Sequence, residues 1–220
     1  GIIAMFVGVL SYQQMKDRPG VSFWSDVVNA FKGELGSITA PKTEGIFISF
    51  EGGEGSGKST QSKLLAEWFE NEGRTVLLTR EPGGTNLGKN LRKILLDNAT
   101  GEIAPRSETL LYAADRAHHV SSLIRPALER GDIVITDRYF DSSIAYQGAG
   151  RVLSSSEVAR INRWATESLF PTLTIILDQP AEIGLSRIKN ADRLESESIE
   201  FHTECAKSIY SSQDLIQRDI

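Results

Sequence analysis

Thiols are scarce in this chain of 220 residues: Cys205 is its single cysteine, which excludes an internal disulfide and a multi-cysteine zinc site and fits a structural thiol in a reducing cytoplasm. Basic charge is short as well. Lys and Arg number 24 against 29 Asp and Glu, a net charge of −5, so the chain lacks the electrostatic footprint of a nucleic-acid or anionic-membrane binder, and any functional cations must be local. Long apolar runs are missing. The opening GIIAMFVGVL is too short to span a bilayer and lacks the basic start of a signal peptide, so no membrane anchor is expected. There are no repeats and no low-complexity tracts. No N-K-x-D segment of the kind that reads guanine in nucleotide switches occurs. His118 and His119 are adjacent, point to different sides of a helix and make a poor metal pair. What remains is a chain with a 40% hydrophobic fraction, long enough for one α/β domain of ordinary size plus an appendage.

Residues 1–44 read as an N-terminal extension. Within VSFWSDVVNAFKGEL, Trp24, Val27, Val28 and Phe31 fall at i, i+3, i+4 and i+7, an amphipathic helix whose apolar face needs a partner on the main domain, a second subunit or a neighbouring module. GSITAPKTEG then reads as a linker. Over residues 45–220, the short apolar runs GIFISF, TVLLT, DIVITD and TLTIILD alternate with longer helical patterns, as βα units feeding a parallel sheet do. Leu64, Leu65, Trp68 and Phe69 give the first helix its apolar face, ending near Gly73. SETLLYAADRAHHV makes a second, Pro126 suits the first turn of a third, and others open near Ala181 and Ile199.

The stretch FEGGEGSGKSTQ, Phe50 to Gln61, carries the first chemistry. Gly52, Gly57, Lys58 and Ser59 satisfy G-x-x-x-x-G-K-[ST] between a strand pattern and a helix pattern, the context a phosphate loop requires. A triphosphate needs backbone N–H groups converging on its oxygens, and glycines clear the approach. Lys58 supplies a point charge, Ser59 a hydroxyl for Mg²⁺, and the following helix its positive end. The nucleotide set is therefore Gly52, Gly53, Glu54, Gly55, Ser56, Gly57, Lys58, Ser59 and Thr60.

Three further segments surround that loop. In VITDRYFDSSIAYQG, Asp137 ends a strand where a carboxylate reaches Mg²⁺ or its water shell, and Arg138 is placed to bridge donor and acceptor phosphates. In TREPGGT, Arg80 faces an anion at the strand end where ligands of open parallel sheets collect, unless it only makes a surface salt bridge. In LLYAADRAHHV, Tyr112 and Arg116 lie at i and i+4, a ring and a guanidinium on one helix face; taken alone, a core tyrosine beside a helix ion pair explains them as well.

Together, from Gly45 to about Tyr210, the segments FEGGEGSGKSTQ, TREPGGT, ADRAHHV, DRYFDSSIAYQG and the DRLE of Asp192–Glu195 resemble the thymidylate kinases. The loop is shared by many families, whereas TREPGGT with DRY…SS.AYQG is far more specific. The resemblance implies a P-loop nucleoside monophosphate kinase fold, an α/β architecture with a five-stranded parallel sheet flanked by helices. It also implies ATP with Mg²⁺ as donor, dTMP as acceptor, and a homodimer to which the helix around Trp24 offers one contact surface. Carried onto this sequence, Arg80 and Arg138 hold the acceptor phosphate, Tyr112 stacks on thymine, and Arg116 contacts its carbonyl. Ser143 and Gln147 complete the base edge, Tyr146 presses on the sugar, and Glu54 lies near the deoxyribose.

An acceptor phosphate monoester, with a second pKa of ~6, is mostly dianionic and needs no general base. Catalysis then rests on positioning and on cations, Lys58, Arg138, Mg²⁺ and an arginine over the γ-phosphate. Some relatives carry that arginine in the phosphate loop, where this chain has Gly55. The resemblance therefore points to a lid, with Arg187, Lys189 and Arg193 of LSRIKNADRLE as candidates. Relatives also end on an apolar run that forms a fifth strand. None follows QDLIQRDI here, so the expectation is either a truncated chain or a missing last strand. Another deoxynucleotide or nucleoside kinase, or a dTMP-binding chain with impaired transfer, stays open at this stage.

Overall fold

The computed structural model describes residues 6–11, 20–31, 45–151 and 153–218, which leaves most of the expected linker GSITAPKTEG outside. Strands β1 (Phe6–Ser11), β2 (Ile46–Gly52), β3 (Val76–Arg80), β4 (Ile133–Asp137) and β5 (Leu173–Asp178) form one parallel sheet in the order β1-β5-β2-β4-β3. The four runs read as strands are β2 to β5. The fifth position, expected to be empty, is filled from the opposite end of the sequence, since β1 pairs with β5 from Phe6↔Leu173 to Ser11↔Asp178.

Alternation of side chains across the pleat divides the core. Ile46, Ile48 and Phe50 of β2 share one face with Ile133, Ile135, Ile175 and Leu177, and that face is covered by α1 (Val21–Phe31) and α2 (Lys58–Asn71). Phe23, Trp24 and Val28 of α1 are buried there, so the apolar face of this helix finds its partner within the chain. Phe47 and Val134 point the other way, into a cluster with Val120 and Ile124, which follow α4 (Pro105–His119), with Ala127 of α5 (Arg125–Glu129) and with Val158 of α7 (Ser155–Ala165). A π-helical turn, Val120–Ile124, joins α4 to α5, so Pro126 opens the tail of an interrupted helix rather than a separate one.

Two helices of eleven residues each were not expected from periodicity, nor was a short one at Phe140–Ser143. In α3 (Asn86–Leu96) the Thr85 side chain caps the N-terminus by accepting from the Gly88 N–H at 2.9 Å, and Ser154 caps α7 through the Glu157 N–H. The remaining helices are α6 (Phe140–Ser143), which runs into a π turn at Ile144–Ala149, α8 (Ala181–Leu185) and α9 (Ile199–Arg218). Among the described residues no helix is long and apolar enough to cross a membrane. Because every strand runs the same way, the ends of β2, β3, β4 and β5 open onto one rim, and the motifs collect there.

Candidate active site

The phosphate loop leaves β2 at Gly52 and enters α2 after Gly57, with φ values of 139° and 95° that favour glycine. A Cβ on Gly52 would lie 2.6 Å from the Leu177 carbonyl oxygen, so β5 packs too closely for any side chain. Lys58 folds back over the loop, its Nζ donating to the carbonyls of Gly52 (3.1 Å) and Gly53 (2.6 Å) and to Ser56 Oγ (3.4 Å). Burial, with Arg138 acting in the same direction, lowers its pKa to about 8 against the opposing pull of Glu54, Asp137 and Glu51. Ser59 Oγ donates to Asp137 Oδ2, which joins the two residues expected to serve a metal. Among the described residues no group of three or more His, Cys, Asp or Glu could hold a metal ion. One carboxylate and one hydroxyl beside a phosphate loop fit Mg²⁺, which keeps waters and takes further oxygens from the phosphates.

Arg138 sits at the centre of the rim. Its backbone has φ 73°, a left-handed conformation that is costly for a side chain with a Cβ and is held by its N–H on the Phe50 carbonyl at 2.9 Å. The guanidinium donates to the Gly52 carbonyl (3.3 Å), Ser142 Oγ (2.9 Å), the Glu54 carboxylate and Tyr146 Oη (3.4 Å). It also stands 5.0 Å from the Tyr146 ring centroid. Tyr146 donates in turn to Glu54 at 3.2 Å. Burial alone would raise the Glu54 pKa; Arg138 and Lys58 outweigh it and bring the carboxyl to about 2, so Glu54 stays ionised. Behind them the buried Glu51 accepts from the Tyr139 N–H at 2.8 Å and from Ser142 Oγ, fastening the DRYFDSS turn to β2.

Two adjoining chambers meet at this arginine. One, of about 830 Å³, is bordered by Gly55, Gly57, Lys58, Ser59, Thr60, Arg80 and Asp137. The other, of about 540 Å³, is lined by Tyr112, Arg116, Ser143, Tyr146 and Gln147. Glu54, Glu81, Arg92, Arg138 and Glu195 line both. Thus Tyr112, Arg116, Ser143, Tyr146 and Gln147 are brought together on one side of Arg138, and the loop residues on the other. Arg80 is exposed at the mouth of the larger chamber.

The walls of the smaller chamber are fixed by ion pairs. Arg116 is 2% exposed and donates to Glu81 (2.6 Å), Ser143 Oγ (3.1 Å), Asn162 Oδ1 and the Tyr139 carbonyl (3.1 Å). These bonds occupy most of a guanidinium's N–H groups. Glu81 also pairs with His119 Nδ1 at 2.9 Å, and His119 Nε2 meets Thr79 Oγ1 at 2.8 Å, so His119 belongs to the scaffold. Gln147 Nε2 donates to the buried Glu108 at 3.1 Å.

The lid candidates separate in space. Arg187 donates to the Gly55 carbonyl and to Gln179 Oε1, both at 3.0 Å. Arg193 is directed elsewhere, to the Leu95 carbonyl (2.7 Å) and the Glu108 carboxylate, and Lys189 is exposed. The loop and α8 touch backbone to backbone. A Cβ on Gly55 would lie 2.1 Å from the Gly184 carbonyl oxygen, and one on Gly184 would lie 2.0 Å from that of Glu54. An arginine at position 55 is therefore incompatible with this closure.

Sequence reasoning missed Arg92, Glu81 and Glu195. Arg92 lies on the unexpected α3 and donates to the Pro82 carbonyl at 3.0 Å. Its signal was the Thr85 cap followed by Leu91 and Leu95 at helical spacing. Glu81 was passed over within TREPGGT in favour of its neighbour Arg80, although Glu81 is the buried one of the two.

The sequence pattern of one family, described as thymidylate kinase, matches residues 50–217. The thymidylate kinase of Leifsonia xyli subsp. xyli is 57% identical over 162 residues, covering 72% of this chain and 77% of its own length. That of Clavibacter sepedonicus is 55% identical over 162 residues, covering 72% and 76%. The crystal structure of thymidylate kinase from Ehrlichia chaffeensis superposes with a TM-score of 0.64 at 33% identity, over 80% of this chain and 86% of that one.

Proposed function

The chain belongs to the thymidylate kinase family, and we propose that its two-chambered cleft seats ATP over the glycine loop and dTMP against Tyr112, with Arg138 between their phosphates. The reaction is ATP + dTMP giving ADP + dTDP. A phosphate oxygen of dTMP forms the new bond to the γ-phosphorus, and the bond from that phosphorus to the β–γ bridging oxygen breaks, its electrons leaving on ADP. The acceptor is already dianionic, with a second pKa of ~6, so no residue is asked to remove a proton. Two polyanions must instead be held in line, and the positive groups at the chamber boundary serve that end.

In this reading Lys58 releases the loop carbonyls to meet the outer phosphates of ATP, Arg138 holds the dTMP phosphate against the γ-phosphate, and Arg187 closes from the lid. Arg80 and Arg92 add charge at the mouth. Ser59 and Asp137 would hold Mg²⁺, which when bound would supply positive charge against the ATP phosphates. Tyr112 stacks on thymine, while Arg116, Ser143 and Gln147 offer hydrogen bonds to its edge. Tyr146, fixed by Arg138 and Glu54, crowds the ribose 2′ position. The observation that carries the reading is that one ion pair, Arg138 with Glu54, lines both chambers.

A homodimer is proposed through the α4–α7 face, supported by Trp164, 82% exposed, and Leu110, 58% exposed. Sedimentation velocity of the wild type and Trp164→Glu tests this, with a dimer converted to a monomer expected. A cytoplasmic location is proposed from the single cysteine, Cys205, which is buried and free.

The function is tested by ADP release with ATP and Mg²⁺ and dTMP, dUMP, dCMP or thymidine as acceptor. Turnover should strongly favour dTMP and disappear in Lys58→Ala and Arg138→Ala. Equal turnover with dCMP, or turnover with thymidine above dTMP, would overturn the assignment of the smaller chamber.

A further inference from the structure

Residues 6–11 and 20–31 precede the part of the chain that matches the family pattern, which begins at residue 50, yet they pack against three elements that carry the donor half of the site. First, β1 forms a parallel ladder with β5 that ends at Ser11↔Asp178. Just beyond Asp178 lie Gln179, which accepts from Arg187, and α8, whose Gly184 touches the loop. Second, the Trp24 ring on α1 packs edge-on against Phe50, with centroids 5.5 Å apart at 81°. Phe50 stands just ahead of Gly52, on the strand that feeds the loop. Third, Trp24 Nε1 donates to Gln61 Oε1 at 3.2 Å in a buried bond, and Gln61 lies in the first turn of α2, next to Lys58 along the helix.

One indole therefore touches both the strand that enters the phosphate loop and the helix that leaves it. Trp24 is fully buried, so the contact is made without solvent, where an unmade hydrogen bond is costly. Packing alone would be served by any large apolar residue. An N–H aimed at a buried glutamine one turn from Lys58 fixes the rotation of α2, and with it the direction of the N–H groups at the helix end.

We propose that the N-terminal strand and helix are a working part of the kinase and that Trp24 is a positioning residue for the phosphate loop, acting on ATP and not on dTMP. This rests on the reading that the loop holds ATP. Trp24 does not line either chamber and acts only through Phe50 and Gln61.

The test uses the full chain. In Trp24→Leu, which loses both the ring contact and the N–H, KM for ATP should rise roughly five- to tenfold while KM for dTMP changes by less than about twofold. Trp24→Phe keeps a ring without the donor and should fall between. Because these variants can fold poorly, a second measurement leaves Trp24 in place. In the Trp68→Phe/Trp164→Phe background it is the chain's single tryptophan, and its emission should change on addition of ADP and stay unchanged on addition of dTMP. Equal rises in both KM values, a lower melting temperature with neither KM altered, or an emission that ignores ADP would each overturn the proposal. Failure of the kinase reading itself would look different, as a wild-type chain with no dTMP-dependent turnover.

Discussion

Gly184→Ala is the sharpest perturbation of the closed lid, because α8 and the phosphate loop touch backbone to backbone at this residue. The added Cβ would lie 2.0 Å from the Glu54 carbonyl oxygen and 3.4 Å from Gln179 Nε2. Ordinary contact begins near 3.4 Å, so α8 and the loop must separate by more than an ångström, and both partners at the tightest point are backbone that cannot rotate aside. Arg187, now 3.0 Å from the Gly55 carbonyl, moves with α8. A misplacement of about 1 Å in a group that aligns reacting atoms can lower a rate ~100-fold. We therefore expect kcat to fall between about 10- and 100-fold, and overpacking to destabilise the fold by about 1–3 kcal/mol. Affinity for dTMP should hold, because Tyr112, Arg116 and Gln147 lie across Arg138 from α8. Steady-state ADP release with calorimetric dTMP binding measures both quantities, and Ser186→Ala, which removes only a bond to the Ile183 carbonyl, is the control. A Gly184→Ala enzyme with wild-type kcat would refute the reasoning, because the lid contact and the placement of Arg187 would then be irrelevant to transfer.

The same electrostatics govern pH and stability. Free Lys58 has its pKa lowered to about 8, so kcat/KM for ATP should decline as pH rises through about 8; bound phosphates favour the charged form, so kcat should hold to higher pH. A kcat/KM profile flat to pH 9 would contradict this. Glu54, brought to about 2 against burial by Arg138 and Lys58, contributes stability that is present above the ordinary carboxylate pKa of 4.5 and lost as pH falls through about 2. In urea melts the advantage of wild type over Glu54→Gln should therefore shrink between those two values, and an advantage that widened in acid would count against the ion pair. Arg116→Lys, which cannot reproduce the fork to Glu81, Ser143 and Tyr139, should cost about 3–5 kcal/mol of stability as well as dTMP affinity; a melting temperature within a degree or so of wild type would be inconsistent with that network.

The parts of the site that were legible in sequence are those set by local backbone chemistry. The run from Gly52 to Ser59 specifies its own loop, and Asp137 and Arg138 follow from the end of a buried strand. Tyr112 and Arg116 were legible as one helix face, but the partners that fix Arg116 were not, since only the fold brings Glu81, Asn162 and Ser143 to the guanidinium. Position 6 pairing with 173 is likewise non-local, and FVGVLS carries no mark that separates a sheet edge from any short apolar run. Arg193 shows the converse. Its place in a basic segment suggested a phosphate contact, but Glu108, buried beyond Gln147, captures its charge. Arg92 was hidden by Gly88, which weakens the helical pattern of α3; with a Cβ at position 88, the helix would run into Asp115 Oδ1 at 2.3 Å.

The central claim is that donor and acceptor chambers meet at Arg138. A ligand joining adenosine and thymidine through a chain of five phosphates tests it directly by isothermal titration. We predict a single site per chain, affinity at least about 100-fold above that for ATP or dTMP alone, exclusion of both nucleotides, and loss of that gain in Arg138→Ala. A ligand that displaced only one nucleotide, or bound no more tightly than the better of the two, would contradict it.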